Sequence, residues 1–160
     1  MRTAFTTLAL ASACFSAQAG NAAVRFTEPD KFMDAGHGAA LADTQRVLSE
    51  HFKRLATSTL PASQSLEIEV LDIDLAGEVR PWRRVWPDVR VMRGAADWPR
   101  MTLRFTLRDG ERVLAQGEDH LSDMNYLQGG HLGQLRQSEP LPYERRMVTT
   151  WFNQRLVGQR

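Results

Sequence analysis

The chain has 160 residues, and its 20 basic and 19 acidic side chains leave a formal net charge of +1. This length indicates a single domain, and the near-zero charge excludes binding to nucleic acid through an overall positive field. Apolar residues make up 42% of the chain, an ordinary share for a globular protein whose core needs no disulfide.

Residues 1–19 have the features of a secretory signal peptide. Arg2 gives a positive start, an apolar run follows from Ala4 to Ala13, and Ala17-Gln18-Ala19 is a small-x-small cleavage site. We therefore expect a periplasmic protein whose single domain spans residues 20–160, with no transmembrane segment. The only cysteine is Cys14, so the alternative is a lipoprotein that is anchored through this residue.

The first part of the domain reads as a strand, a link and a helix. Val24–Phe26 predicts a short strand, and Asp34–Gly38 predicts a flexible link. From about Ala39 to Thr59, apolar residues recur at intervals of three and four, which is typical of an amphipathic helix. His51 lies close to the apolar stripe, where a partly buried structural histidine is more common than a metal ligand.

The stretch Leu66–Gly77 predicts a long central strand. Leu66, Ile68 and Val70 alternate with glutamates, so the apolar residues first occupy even-numbered positions. From Leu71 and Ile73 onward they occupy odd-numbered positions. A period-2 strand cannot bury both sets on one face without an extra residue. The pattern predicts either a β-bulge near Val70–Leu71 or a strand that is covered on both faces in its second half.

The second half of the chain predicts a hairpin and a final helix. Met101–Leu107 alternates cleanly, and a three-residue loop at Arg108–Gly110 would place Phe105 opposite Val113. Val89–Arg93 predicts a short edge strand whose Arg90 points outward. A last helix begins at Pro142 and ends at Gly158.

These elements predict one α+β domain in the order β-α-β-(β)-β-β-α. Its four- or five-stranded sheet is mostly antiparallel, with both helices packed on one face and with the first strand parallel to the central one. The predicted core comprises Phe26, Leu41, Leu48, Phe52, Leu55, Leu66, Ile68, Val70, Ile73, Leu103, Phe105, Val113, Met147, Trp151 and Phe152.

Five acidic and imidazole side chains form a candidate metal or acid–base site: Asp72, Asp74, Asp119, His120 and Asp123. If the strands that carry them are neighbours, these groups converge, and carboxylates suit a hard divalent cation. The structural alternative is that the first two aspartates face water, while Asp119 and Asp123 cap turns.

Cations and aromatic rings are mixed in the run Trp82, Arg83, Arg84 and Trp86. In an exported protein this mixture favours contact with an anionic envelope component or an acidic protein, together with His131 in a glycine-rich loop. The alternative is that one tryptophan plugs the open end of the sheet and the arginine stems pack over it.

Several of these segments carry a family resemblance: Val24–Phe26, Leu71–Gly77, Leu121–Tyr126 and Trp151-Phe152. Together they resemble the exported proteobacterial family known as domain of unknown function 3016, over nearly the whole mature chain. The resemblance implies an address and a fold, and no reaction.

No nucleophile elbow, zinc-protease motif, phosphate-binding loop or dinucleotide fingerprint occurs in the chain. We therefore expect a non-enzymatic envelope accessory or binding protein without a cofactor. Its partner would be an envelope protein or an anionic envelope component. The alternative is a metal-dependent or acid–base hydrolase that uses the carboxylate cluster.

Overall fold

Six strands and two α-helices form the domain in a computed structural model that describes residues 20–79, 90–94, 96–128 and 139–158. In chain order they are β1 (Asn21–Phe26), α1 (Ala39–Thr59), β2 (Gln64–Asp74), β3 (Glu78–Val79), β4 (Arg90–Val91), β5 (Arg100–Asp109), β6 (Arg112–Ser122) and α2 (Pro142–Phe152). A 3₁₀ turn follows β1 at Pro29–Lys31, and a π-helical turn extends α2 over Asn153–Val157.

Four of the strands form one mixed sheet in the order β1-β2-β5-β6. β1 runs parallel to β2, and the other two pairings are antiparallel. α1 makes the crossover that a parallel pair requires. β3 and β4 form a separate two-stranded sheet. The predicted α+β class, the mostly antiparallel sheet and the parallel first pair are confirmed.

A β-bulge divides β2 where the hydrophobic phase changes. Val70 pairs with Leu103 and Asp72 pairs with Thr102, which leaves Leu71 without a partner in the ladder. Because of this extra residue, Ile73 returns to the buried face on which Val70 lies. The predicted bulge is confirmed, and both halves of the strand contribute to the same core.

The predicted register of the β5–β6 hairpin is wrong. The turn has two residues, Gly110 with φ of 57° and Glu111, so Asp109 pairs with Arg112. A second bulge then places Phe105 opposite Gly117, not opposite Val113. Val113 was expected in the core, but it faces out and is 40% exposed. Two-residue turns match the strand twist, and the bulge restores the pairing of the apolar positions.

Both helices pack on the face of the sheet that carries the alternating apolar residues. Trp151 of α2 packs edge-on against Phe105 of the sheet and Phe52 of α1, with ring centroids 5.5 and 6.2 Å apart. The opposite face is charged, and Glu69 there pairs with Arg25 and Arg104. Apart from Val113, the predicted core residues lie in this cluster, with Phe26 and Leu55 only partly buried.

The segment that was expected to be a flexible link is tied to the sheet at its first residue. The N–H of Asp34 donates to the carbonyl of Ile73, and its own carbonyl accepts the N–H of Leu75, both at 2.9 Å. This parallel bridge continues the sheet past the end of β1, and Ala35 beside it is buried.

Arg90 turns inward, so its predicted outward orientation is wrong. Its guanidinium donates to the carbonyls of Leu75, Ala76 and Gly77 at 2.7–3.0 Å and to the carboxylate of Asp34 at 2.6 Å. These carbonyls lie past the end of β2, where no neighbouring strand donates hydrogen bonds to them. Charge-assisted hydrogen bonds to such acceptors stabilise the inward guanidinium more than hydration would. We call the Arg90 guanidinium with these acceptors the Arg90 latch.

Glu144 closes the same region from α2. Its carboxylate accepts the N–H of Ala76 at 2.8 Å, and the residue is only 2% exposed. Burial raises the pKa of Glu144, while the nearby Arg90 opposes that shift. Neither α1 nor α2, the helices of the described ranges, has the length and hydrophobicity of a membrane-spanning helix.

Candidate functional site

A groove with a volume of about 560 Å³ lies between the end of β6 and α2, and we call it the β6–α2 groove. Its size falls within the range of small-ligand sites, which is about 300–1,000 Å³. The groove is lined by the polar residues His120, Ser122, Asp123, Asn125, Gln128, Arg146, Thr150 and Gln154, with Leu121, Met147 and Trp151 beneath them.

Trp151 is the aromatic wall of this groove, and its orientation is fixed. Its indole N–H donates to Oδ2 of Asp119 at 2.8 Å, while Nε of Arg155 donates to the same oxygen at 3.1 Å. The ring also packs edge-on against Phe105 behind it. A tryptophan held by both packing and a charged hydrogen bond presents a rigid surface.

An ion pair crosses one end of the groove. Arg146 donates to Oδ2 of Asp123 from Nη2 at 2.6 Å and from Nε at 3.0 Å. The other oxygen of Asp123 accepts the N–H of Asn125 at 3.1 Å, and Arg146 also reaches the carbonyl of Asn125. The two charges cancel, so amide and hydroxyl groups set the rest of the polar side-chain lining.

The groove meets an edge of the sheet at the end of β6, where His120, Leu121 and Ser122 line it. In the part of the chain that the structure describes, β6 pairs only with β5, so its other edge carries main-chain donors and acceptors without a strand partner. Such an edge is a template for an added strand. Chemically, the arrangement offers main-chain hydrogen bonds along β6 and a neutral polar recess beside them.

The five side chains of the predicted metal site do not converge. Asp119 and His120 are adjacent on β6, so they point to opposite faces of the sheet. Asp119 holds Trp151 on the helix side, whereas His120 bonds to Thr102 on the outer face at 3.0 Å. Asp123 lies beyond the strand and is paired with Arg146.

The two aspartates of β2 lie across the sheet from the groove. Asp72 accepts the N–H of Met33 at 2.8 Å, and Asp74 pairs with Arg100 at 3.1 Å. Partial burial raises the pKa of Asp74, and the charge of Arg100 opposes this. Within the described ranges, no three histidine, cysteine or acidic side chains lie close enough to hold a metal ion.

The predicted binding residues Trp82, Arg83, Arg84, Trp86 and His131 lie outside the residues that the structure describes. The groove instead includes three positions of α2 and its π-helical extension that sequence reasoning missed: Arg146, Thr150 and Gln154. They recur every four residues, so they form a polar stripe next to the apolar stripe of the helix. That spacing was the available signal, and it was overlooked because helix faces without apolar residues are normally solvated.

A family model described as "Protein of unknown function (DUF3016)" matches residues 20–154 of the chain. The chain belongs to this family. No curated protein and no solved structure matches it significantly. The family assignment that the sequence segments indicated is thus confirmed.

Proposed function

We propose that this member of the DUF3016 family is an exported, non-enzymatic binding protein of the cell envelope. In this proposal, an extended peptide segment of another envelope protein adds to the outer edge of β6 and places side chains in the β6–α2 groove. One observation carries the proposal: a preformed polar groove lies beside the end of β6, a strand of 11 residues that is at the sheet edge among the described residues. Strand addition with side-chain pockets is an established mode of peptide recognition.

The charge distribution favours a peptide over an anionic envelope component as the occupant of this groove. Arg146 is neutralised by Asp123, so it gives the groove no net positive charge. Three uncharged side chains of the lining, Gln128, Thr150 and Gln154, can each donate and accept hydrogen bonds, as peptide groups also do. At the far end of β6, Val113 and Leu114 are 40% and 41% exposed, so apolar side chains of a peptide would find contacts there.

Two features support export. Residues 1–19 have the charge, apolar run and cleavage site of a signal peptide. The family match also begins at Gly20, directly after the predicted cleavage site. Fractionation of cells that express the full chain tests this step. Mature protein that lacks residues 1–19 in the periplasmic fraction is expected, and retention of the signal in the cytoplasm would contradict export.

The peptide site is tested by selecting binders for the mature domain from a displayed library of random linear peptides. Thr150→Arg places a large cation in the groove at an exposed helix position. It should therefore weaken the binding of the selected peptides at least tenfold. Thr57→Arg makes the same change at an exposed position of α1 outside the groove, and it should leave binding unchanged. Equal binding by wild type and Thr150→Arg would remove the groove from the proposal.

A screen of hydrolase substrates tests the non-enzymatic part. We expect no turnover above that of a mock purification, because the acidic side chains of the predicted cluster are divided between separate contacts. Turnover that co-purifies with the protein and is lost in Asp123→Asn would replace a binding function with an enzymatic one.

A further inference from the structure

A second pocket, separate from the β6–α2 groove, lies between α1 and the start of α2. It has a volume of about 330 Å³ and is lined by His51, Arg54, Glu139, Arg145 and Thr149, together with Leu55 and Pro142. Two of these side chains are arginines from different helices, and both turn toward the same histidine.

The hydrogen bonds fix the state of His51. Its Nε2 lies 2.8 Å from the carbonyl of Arg145, to which it must donate. Its Nδ1 lies 2.7 Å from Nη2 of Arg54, and because an arginine only donates, Nδ1 must accept. The ring is therefore neutral, in agreement with burial that lowers the pKa of His51 to about 4.

Two guanidinium groups compete for one lone pair at this nitrogen. Nε of Arg145 lies 3.5 Å from the Nδ1 atom that already accepts from Arg54. An imidazole nitrogen has a single lone pair, so it cannot satisfy both donors. The two cations are also held close to each other, which costs electrostatic free energy unless a negative charge lies between them.

Among the described residues, one carboxylate lines the pocket beside the two cations, and Arg54 is exposed to solvent. Glu139 forms an ion pair with Arg145, whose side chain is 13% exposed. Within the described ranges, Arg54 has no carboxylate within salt-bridge distance, and its contact is the neutral imidazole. The remaining segments of the sequence contain only one acidic side chain, Asp88. The lining that the structure describes thus has two cations, one anion and open space.

We propose that the pocket formed by His51, Arg54 and Arg145 binds the oxyanion of a phosphate group. Each guanidinium carries N–H donors in a planar fork that matches two phosphate oxygens, and paired arginines are a common phosphate-binding device. His51 then acts as a neutral spacer that holds both forks at the pocket wall. A free phosphate ion and the headgroup of an anionic lipid share this chemistry.

The first test is a calorimetric titration of the mature chain with inorganic phosphate at constant ionic strength. Wild type should show saturable binding with heat of association. Arg54→Gln should weaken it at least tenfold, since a hydrogen bond to a charged group contributes about 1.5–3 kcal/mol. Lys53→Gln removes the same charge from the adjacent exposed position of α1, and it should bind like wild type.

Amide and side-chain NMR spectra of the same samples show which residues contact phosphate, which the calorimetric titration does not show. Phosphate should shift the Nε–H resonances of Arg54 and Arg145, whereas chloride at equal ionic strength should not. No saturable binding, equal binding by Arg54→Gln, or shifts spread over many unrelated arginines would each overturn the proposal.

Flotation with lipid vesicles distinguishes a lipid headgroup from a free phosphate ion as the ligand. Vesicles with phosphatidylglycerol should retain wild type and Lys53→Gln, but not Arg54→Gln, if the ligand is a headgroup. If only inorganic phosphate binds in the titration, the ligand is a free phosphate group and vesicles should retain none of the three. Vesicle binding that Arg54→Gln does not reduce would place membrane contact elsewhere and contradict a headgroup in this pocket.

Discussion

Arg90 on β4 and Arg54, an exposed residue of α1, show what a cation that the protein satisfies and one that it leaves unsatisfied look like in one small domain. In the Arg90 latch, every acceptor belongs to the protein: three carbonyls of Leu75–Gly77 and the carboxylate of Asp34. Arg54 instead meets one imidazole nitrogen beside another arginine. The difference teaches that Arg90 stabilises the fold, whereas Arg54 offers binding capacity that the fold does not use.

The largest effect should come from removing the satisfied cation. Arg90→Gln leaves the carbonyls of Leu75–Gly77 without their charged donor, so we expect a loss of about 2–4 kcal/mol in the free energy of unfolding. Urea titration measures it. Arg100→Gln is the matched control, because Arg100 is 45% exposed and pairs with Asp74 at the surface, and it should lose less than about 1 kcal/mol. Equal losses in the two variants would contradict the latch.

The next largest effect is the loss of folding stability at acidic pH that His51 should cause. Burial, with Arg145 and Arg54 nearby, lowers the pKa of His51 from its ordinary 6.5 to about 4, although Glu139 opposes this. The unfolded chain therefore binds more protons between these values, and stability should fall as the pH falls from 6.5 to 4. After solvent screening, the change is on the order of 2 kcal/mol.

His51→Gln should remove that part of the acid loss in urea titrations across this pH range. The exposed His120 provides the control, and His120→Gln should keep the wild-type slope. An unchanged slope in His51→Gln would show that His51 is not the group that resists protonation.

A smaller effect of opposite sign is expected at Glu144, which lies beside the latch. Its pKa is raised by burial above the ordinary 4.5, and Asp34 adds to this while Arg90 opposes it. The folded state holds its proton longer than the unfolded chain, so this residue lowers stability as the pH rises above 4.5. Glu144→Gln keeps an oxygen for the Ala76 N–H without the charge.

We therefore expect Glu144→Gln to gain stability over wild type as the pH rises above 4.5. Thermal unfolding at several pH values measures the difference. Glu50→Gln, at an exposed position of α1, should show no such trend. A variant that is less stable than wild type at every pH would indicate that the Arg90 charge dominates.

The smallest effect should come from the unsatisfied cation. Arg54→Gln should change the free energy of unfolding by less than about 0.5 kcal/mol in the absence of phosphate, because it relieves repulsion from Arg145 as it removes a contact to His51. Lys53→Gln gives the background for a lost surface charge. A loss above about 1 kcal/mol would make Arg54 structural, like Arg90.

The sequence predicted the parts of the fold that depend on apolar pattern. The bulge at Leu71 follows from a change in the phase of apolar and polar alternation along β2, which is visible in the sequence. The hairpin register does not follow, because Phe105 keeps an apolar partner under several even-numbered shifts. The adjacent apolar pair Val113 and Leu114 indicated the second bulge only in retrospect.

The candidate sites were harder to predict, because backbone groups and tertiary neighbours decide them. Arg90 was expected to point outward because the acceptors that draw it inward are carbonyls, which no side-chain pattern reveals. His51 was expected to be partly buried and it is buried, yet its two arginine neighbours include Arg145, which is 94 residues away in the chain. The residues of the metal hypothesis are not brought together, because alternation along β6 separates Asp119 from His120.

The parallel pairing of β1 with β2 has a consequence for the order of folding. Val24 must meet Ile68 across the whole of α1, whereas Asp109 meets Arg112 across a tight turn. Closing the longer loop costs more chain entropy, so the β5–β6 hairpin should form early and β1 should dock late. In the export that we propose, the chain would leave the translocation channel amino terminus first, and the strand that emerges earliest would wait longest for its partner. Its backbone amides should then be the last to gain protection in pulsed hydrogen exchange during refolding.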